Sequence, residues 1–235
     1  MAGSQQRSGA ARPAPSRRRR VRALATGALC ATALAAPARA DLGVRPTPAG
    51  VALARSFALA AADLPARFEP VPAEQAQSSL RCPGFSIKLD DLTVNGRDVR
   101  AFVERGGPSS FALVASVADV FATPSQASTA FARILRPELL SCLQRGVAAL
   151  VGAGAAVTRH AFSEESDPWG ALAELTARFS GRVGGAAVPI ACAVAAARDG
   201  RAFALVVSGA VGALPAPSAV ALTRAMVRRI PPGKT

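Results

Sequence analysis

The chain has 235 residues, a single histidine, a single tryptophan, no tyrosine and a formal net charge of +13. One histidine excludes multi-histidine metal sites, and the charge is not a nucleic-acid footprint: residues 1–40 carry 8 of the 28 basic residues and none of the 15 acidic ones, leaving 20 against 15 beyond them. Half of the residues are hydrophobic and aromatics are scarce, so any core is built from small side chains in close backbone contact.

Residues 1–16 are rich in Gly, Ser, Gln, Ala and Pro and show no apolar periodicity, the composition of a disordered leader. Arg17, Arg18, Arg19, Arg20 and Arg22 follow, then the apolar run 23–36, then Ala38-Arg39-Ala40 ahead of Asp41. That order is the n-region, h-region and small-residue cleavage site of a signal peptide spanning 1–40. The apolar run has 14 residues, whereas a helix needs about 20 to cross a bilayer core. The expectation is therefore a secreted or extracytoplasmic, cell-envelope protein that meets the membrane only during export or through an uncleaved signal. Leu29 stands where a lipoprotein signal needs a small residue before Cys30, which argues against lipidation. The arginine run leaves both the Sec and the twin-arginine routes open. Export is a second argument against nucleic acid as a partner.

Residues 41–50 are Pro-rich and read as a flexible linker, and 51–235 as a single domain of ordinary size. The stretch 51–64 is apolar, ambiguous between strand and short helix, and ends at Pro65. Residues 73–80 have helical composition and lead to the turn Cys82-Pro83-Gly84-Phe85. Leu92-Thr93-Val94 opens a β region, in which 100–104 and 111–121 form a hairpin around Gly106-Gly107-Pro108. Thr123-Pro124 starts a helix, since Thr caps free amides and Pro fits the first helical position. Ala127, Ala130, Phe131, Ile134 and Leu135 make its buried stripe. Pro137 kinks that helix or begins a second one through Leu139, Leu140 and Leu143, closing at glycines 146, 152 and 154.

The last third reads as antiparallel sheet. Residues 157–162 form a short strand, followed by an acidic loop with Glu164, Glu165, Asp167, Pro168 and Trp169. Residues 172–180 alternate polar and apolar, the pattern of a half-exposed strand. Strands at 188–197 and 201–208 flank the Asp199-Gly200 turn, and Ser218 caps a closing helix with Val220, Leu222, Ala225, Met226 and Ile230 on its apolar face. The fold class is α+β, a mainly antiparallel sheet of five or six strands backed by helices.

Past the signal, three cysteines remain in an oxidising compartment: Cys82, Cys142 and Cys192. Cys192 lies within an apolar run that reads as a buried strand, whereas Cys82 and Cys142 stand at element edges, so a Cys82–Cys142 disulfide is expected. The odd cysteine is left free, buried or intermolecular.

Several of these pieces together resemble a family. Ala61-Ala62-Asp63-Leu64-Pro65, Cys82-Pro83-Gly84-Phe85, the strand 115–121, the helix with Ala127 and Phe131 leading to Cys142, and the hairpin 198–202 are similar to the extracellular sensor-type domains of actinobacterial PknH-type receptor kinases and LpqN-like secreted proteins. That resemblance spans most of 51–230. It implies a PsbP-like fold and binding of a small ligand or an envelope protein outside the membrane, with no kinase domain here and no functional residue carried over.

Chemistry is sparse. His160 lies in a strand beside Arg159 and reads as a sheet histidine, no G-x-S-x-G precedes a helix, and Asp90-Asp91 lacks the spaced carboxylates of a calcium loop. No metal site or cofactor is expected. Glu164, Glu165 and Asp167 beside Trp169 are the only place where charge meets a large ring, and they form the candidate binding surface. The sequence therefore points to a non-enzymatic, sensor-like binding module. The alternatives are an envelope hydrolase, which needs His160 to meet a carboxylate and a Ser or Thr, and a structural envelope interaction protein, with a homodimer through Cys192 as one form.

Overall fold

The computed structural model describes residues 43–72, 89–107, 110–134, 136, 138–151, 156–167, 170–183 and 186–231. The expected signal peptide, the 73–80 helix, the Cys82 turn and Trp169 lie outside them.

Within these residues the elements run β1 (Gly43–Val44), α1 (Pro48–Phe57), a 3-10 turn (Ala61–Asp63), β2 (Glu69–Val71), β3 (Thr93–Gly107), β4 (Ser110–Phe121), α2 (Pro124–Ile134), α3 (Glu138–Val151), β5 (Ala156–Asp167), β6 (Gly170–Val183), β7 (Ala186–Asp199), β8 (Ala202–Val211) and α4 (Ala219–Val227). The strands make one open eight-stranded sheet in the order β1-β3-β4-β8-β7-β6-β5, with β2 also on β3. Only the short β1–β3 pair is parallel. The α+β class with a mostly antiparallel sheet is as expected, though with more strands, because the short β1 and β2 are added to one edge.

The sheet forms by closing two sets of hairpins on each other. β3 and β4 pair along their whole length, β5 to β8 form a meander, and β8 returns to lie against β4 from Phe111↔Val211 to Val120↔Ala202. All of β8 is buried, as expected for a central strand covered on both faces. The β7–β8 turn places Gly200 at φ +54°, a left-handed position that suits glycine at the first site of a two-residue hairpin turn.

Helices cover both faces. On one, α2 and α3 bury Ala127, Ala130, Phe131, Ile134, Leu139 and Leu143 against Val117, Phe121, Leu175, Phe203 and Leu205. Phe121 and Phe203 meet edge to face at 6.1 Å. On the other, α1 and α4 bury Leu53, Phe57, Leu222 and Met226 against Val114, Val120, Ala195 and Val206. Thr123 caps α2 by accepting from the Gln126 amide at 3.2 Å, and Ser218 caps α4 by accepting from Ala221 at 3.2 Å, as expected from both sequences. The helices Pro124–Ile134 and Glu138–Val151 are separate, and Gly146 falls inside α3 instead of ending it.

Two expectations are corrected. Residues 43–50, expected as a linker, join the fold: β1 pairs with Thr93–Val94, Thr47 caps α1 by accepting from Gly50 at 3.0 Å, and Pro48 takes the first helical position. The acidic stretch 164–167, expected as a loop, continues β5, because pairing with β6 runs unbroken to Asp167↔Gly170. A full partner strand outweighs the weak β preference of Glu and Asp.

Candidate functional site

The β5–β6–β7 end of the sheet differs from the rest in how little covers it. On the α4 side, α4 packs over β7 and β8 and stops short of β5. The register places Glu174, Thr176 and Arg178 of β6 on that uncovered side, since their neighbours Ala173, Leu175, Ala177 and Phe179 are in the core beneath α2 and α3. The result is a groove of about 420 Å³ between these residues, Arg159 and Ala161 of β5, Ala191 and Ala193 of β7, and the 216–218 segment that leads into α4. Its walls are small, because alanines and Pro217 leave the sheet backbone close to the surface.

Arg159 stands directly opposite Arg178 in the β5–β6 register. Two like charges in a cross-strand pair destabilise a sheet, so the arrangement favours an anion at this spot. Arg178 is exposed, Thr176 half-buried beside it, and Thr176 Oγ1 donates to the Ala161 carbonyl at 3.5 Å. Thr158 Oγ1 donates to the Arg178 carbonyl at 3.1 Å where a bulge between Val157 and Arg159 shifts the ladder. This pair was not legible in the sequence, because it depends on a register set by that bulge.

His160 and Ser218 also border the groove, together with Glu174. Their chemistry does not combine into a nucleophilic set. His160 is paired with Ala177, on the opposite face of the sheet from Thr176 and Glu174, and the Ser218 hydroxyl is occupied in capping α4.

The sequence-derived binding surface is split. Glu164 is exposed on β5, Glu165 and Asp167 take up register positions opposite Leu172 and Gly170, and Trp169 is outside the described residues. Glu164 is not among the residues that line the groove, whereas Glu174 is. Cys142 on α3 and Cys192 on β7 are buried in the same core layer and neither is a free thiol, so an intermolecular bridge through Cys192 would have to exchange an existing bond. Cys82, and the expected Cys82–Cys142 bridge with it, lies outside the described residues.

Elsewhere, charged groups serve the scaffold. Asp91 accepts from both Arg133 nitrogens at 2.5 and 2.9 Å, and this hydrogen bonding holds its carboxyl below the usual carboxylate range. Buried Glu104 accepts from Arg67 at 2.5 Å through Oε1, while its Oε2 has no partner. Among the described residues no group of three His, Cys, Asp or Glu side chains gathers as a metal site, and no helix is long and apolar enough to cross a membrane, which says nothing about strands. No protein-family model and no curated protein matches the chain.

Proposed function

We propose that the protein is an exported, non-enzymatic binding module of the cell envelope, with the groove on the α4 side of β5–β7 as its ligand site. The ligand class is a small anion carrying a carboxylate or phosphate. The observation that supports this most is the Arg159↔Arg178 pair at the rim of a 420 Å³ groove, a size within the range of small-molecule sites. Arg178 is the main contact, and the alanine walls admit a flat group. Residues 1–40 serve in this reading as the export signal. The PsbP-like architecture belongs to the same reading, resting on the resemblance of the motifs quoted above.

The test is thermal denaturation of the full chain with inorganic phosphate, citrate and succinate as probes. A probe that binds the native state raises the melting temperature, and R178E abolishes that rise while leaving the unliganded transition in place. If no probe shifts the melting temperature, or if R178E responds as the parent does, the groove is not an anion site.

A further inference from the structure

The outer edge of β5 carries a charge order that is complementary to itself. The strand runs Thr158-Arg159-His160-Ala161-Phe162-Ser163-Glu164-Glu165, basic at its start and acidic at its end, with Phe162 midway between. Every side chain of β5 that the structure describes is exposed, including Phe162 at 50%, and among the described residues β5 ends the sheet with no strand beyond it. Edge strands are usually shielded by proline, lysine, a covering segment or a bulge. From Arg159 to Glu165 the pairing with β6 is regular, without proline or lysine, and the bulge lies before it.

We infer that the occupant of this edge is a second copy of the chain, added antiparallel across a two-fold axis with Phe162 facing the partner's Phe162. In that register Arg159 faces the partner's Glu165, and His160 faces the partner's Glu164. The two-fold repeats both pairs, so two Arg–Glu ion pairs and two His–Glu pairs flank one aromatic contact. A two-fold that passes through a residue pairs positions of like parity. Amides pointing outward on one strand therefore meet carbonyls pointing outward on the other, whichever parity that is. Seven residues at about 3.3 Å each give a paired edge of roughly 23 Å, and the two sheets become one. Random charge on an edge repels a second copy; here that same charge selects one register and one orientation. Arg159 then has the partner's Glu165 on its outer side, and Arg178 remains the cation facing the groove.

Sedimentation velocity on the full chain tests this inference. The parent is expected to show a concentration-dependent monomer–dimer equilibrium. R159E and E165R each place like charges opposite one another at two points and weaken dimerisation about tenfold or more, whereas the R159E/E165R double variant returns to within about threefold of the parent. Mixing the R159E chain with the E165R chain gives a heterodimer, because each then presents what the other lacks. Circular dichroism confirms that each variant is folded; if one is not, E164R mixed with H160E repeats the exchange at the second pair. A parent that stays monomeric up to about 1 mM overturns the inference. So does a dimer that neither substitution weakens, or one that the paired reversal fails to restore.

Discussion

The two edges of the sheet are built in opposite ways. At the β3 edge two stretches of backbone are occupied: β1 pairs with Thr93 and Val94, the Thr47 amide donates to the Asn95 carbonyl at 2.8 Å, and β2 pairs with 101–103. Side chains lock that edge to the rest of the molecule. Arg100 donates to the Leu59 carbonyl at 3.1 Å, and Arg229 beyond α4 donates to Asp63 at 2.8 Å and to the Ala58 carbonyl at 3.0 Å. At the β5 edge no further strand pairs among the described residues. A protein that closes one edge with so many separate contacts and leaves the other open has divided its sheet into a scaffold side and a contact side.

Substitutions sharpen this contrast, and the largest effects belong on the scaffold side. Asp119 and Arg97 face each other across β3 and β4 with two contacts of 2.7 Å, their side chains only 5% and 15% exposed. Asp119→Ala removes both of these contacts from a buried guanidinium and is expected to cost roughly 3–5 kcal/mol, read as a lower denaturant midpoint. Next comes Gly96→Ala. A Cβ there runs into the Gly50 carbonyl oxygen, which is backbone and cannot swing aside, so α1 must move off β3. About 1–3 kcal/mol of stability is lost, or several degrees of melting temperature.

A smaller effect concerns Asp91, whose lowered carboxyl pKa reports its bond to Arg133. The folded value lies below the unfolded one, so the contribution is present above pH of about 4 and fades as pH falls through the folded value. NMR titration of the Asp91 carboxyl should show its midpoint rising towards the normal range in Arg133→Gln. The smallest effect is expected at the open edge: Phe162→Thr should change monomer stability by no more than about 0.5 kcal/mol, since half of that side chain already faces solvent. A large loss there would mean that β5 is structural and the contrast between edges is false.

Much of the scaffold is legible in local chemistry. Thr123-Pro124, Ser218 and Asp199-Gly200 each announce a helix start or a turn within two residues, and α2, α4 and the β7–β8 hairpin follow from them. Thr47-Pro48 carries the same signal as Thr123-Pro124, but Pro46 and the surrounding proline-rich composition make it read as linker. The extent of β5 is hidden for a different reason: its acidic end has poor strand propensity, and only the length of β6 shows that it has a partner. The groove is the least legible feature. Arg159 and Arg178 stand 19 positions apart, on strands whose register depends on a one-residue bulge, and no spacing rule brings them together.

Hydrogen exchange on the full chain, followed by mass spectrometry at low and high protein concentration, tests the division between edges most directly. The account expects β3 amides to be protected at both concentrations, and those of 159–165 to exchange quickly when dilute and slowly when concentrated. Protection of 159–165 that is already strong in dilute solution, or that does not change with concentration, would contradict it.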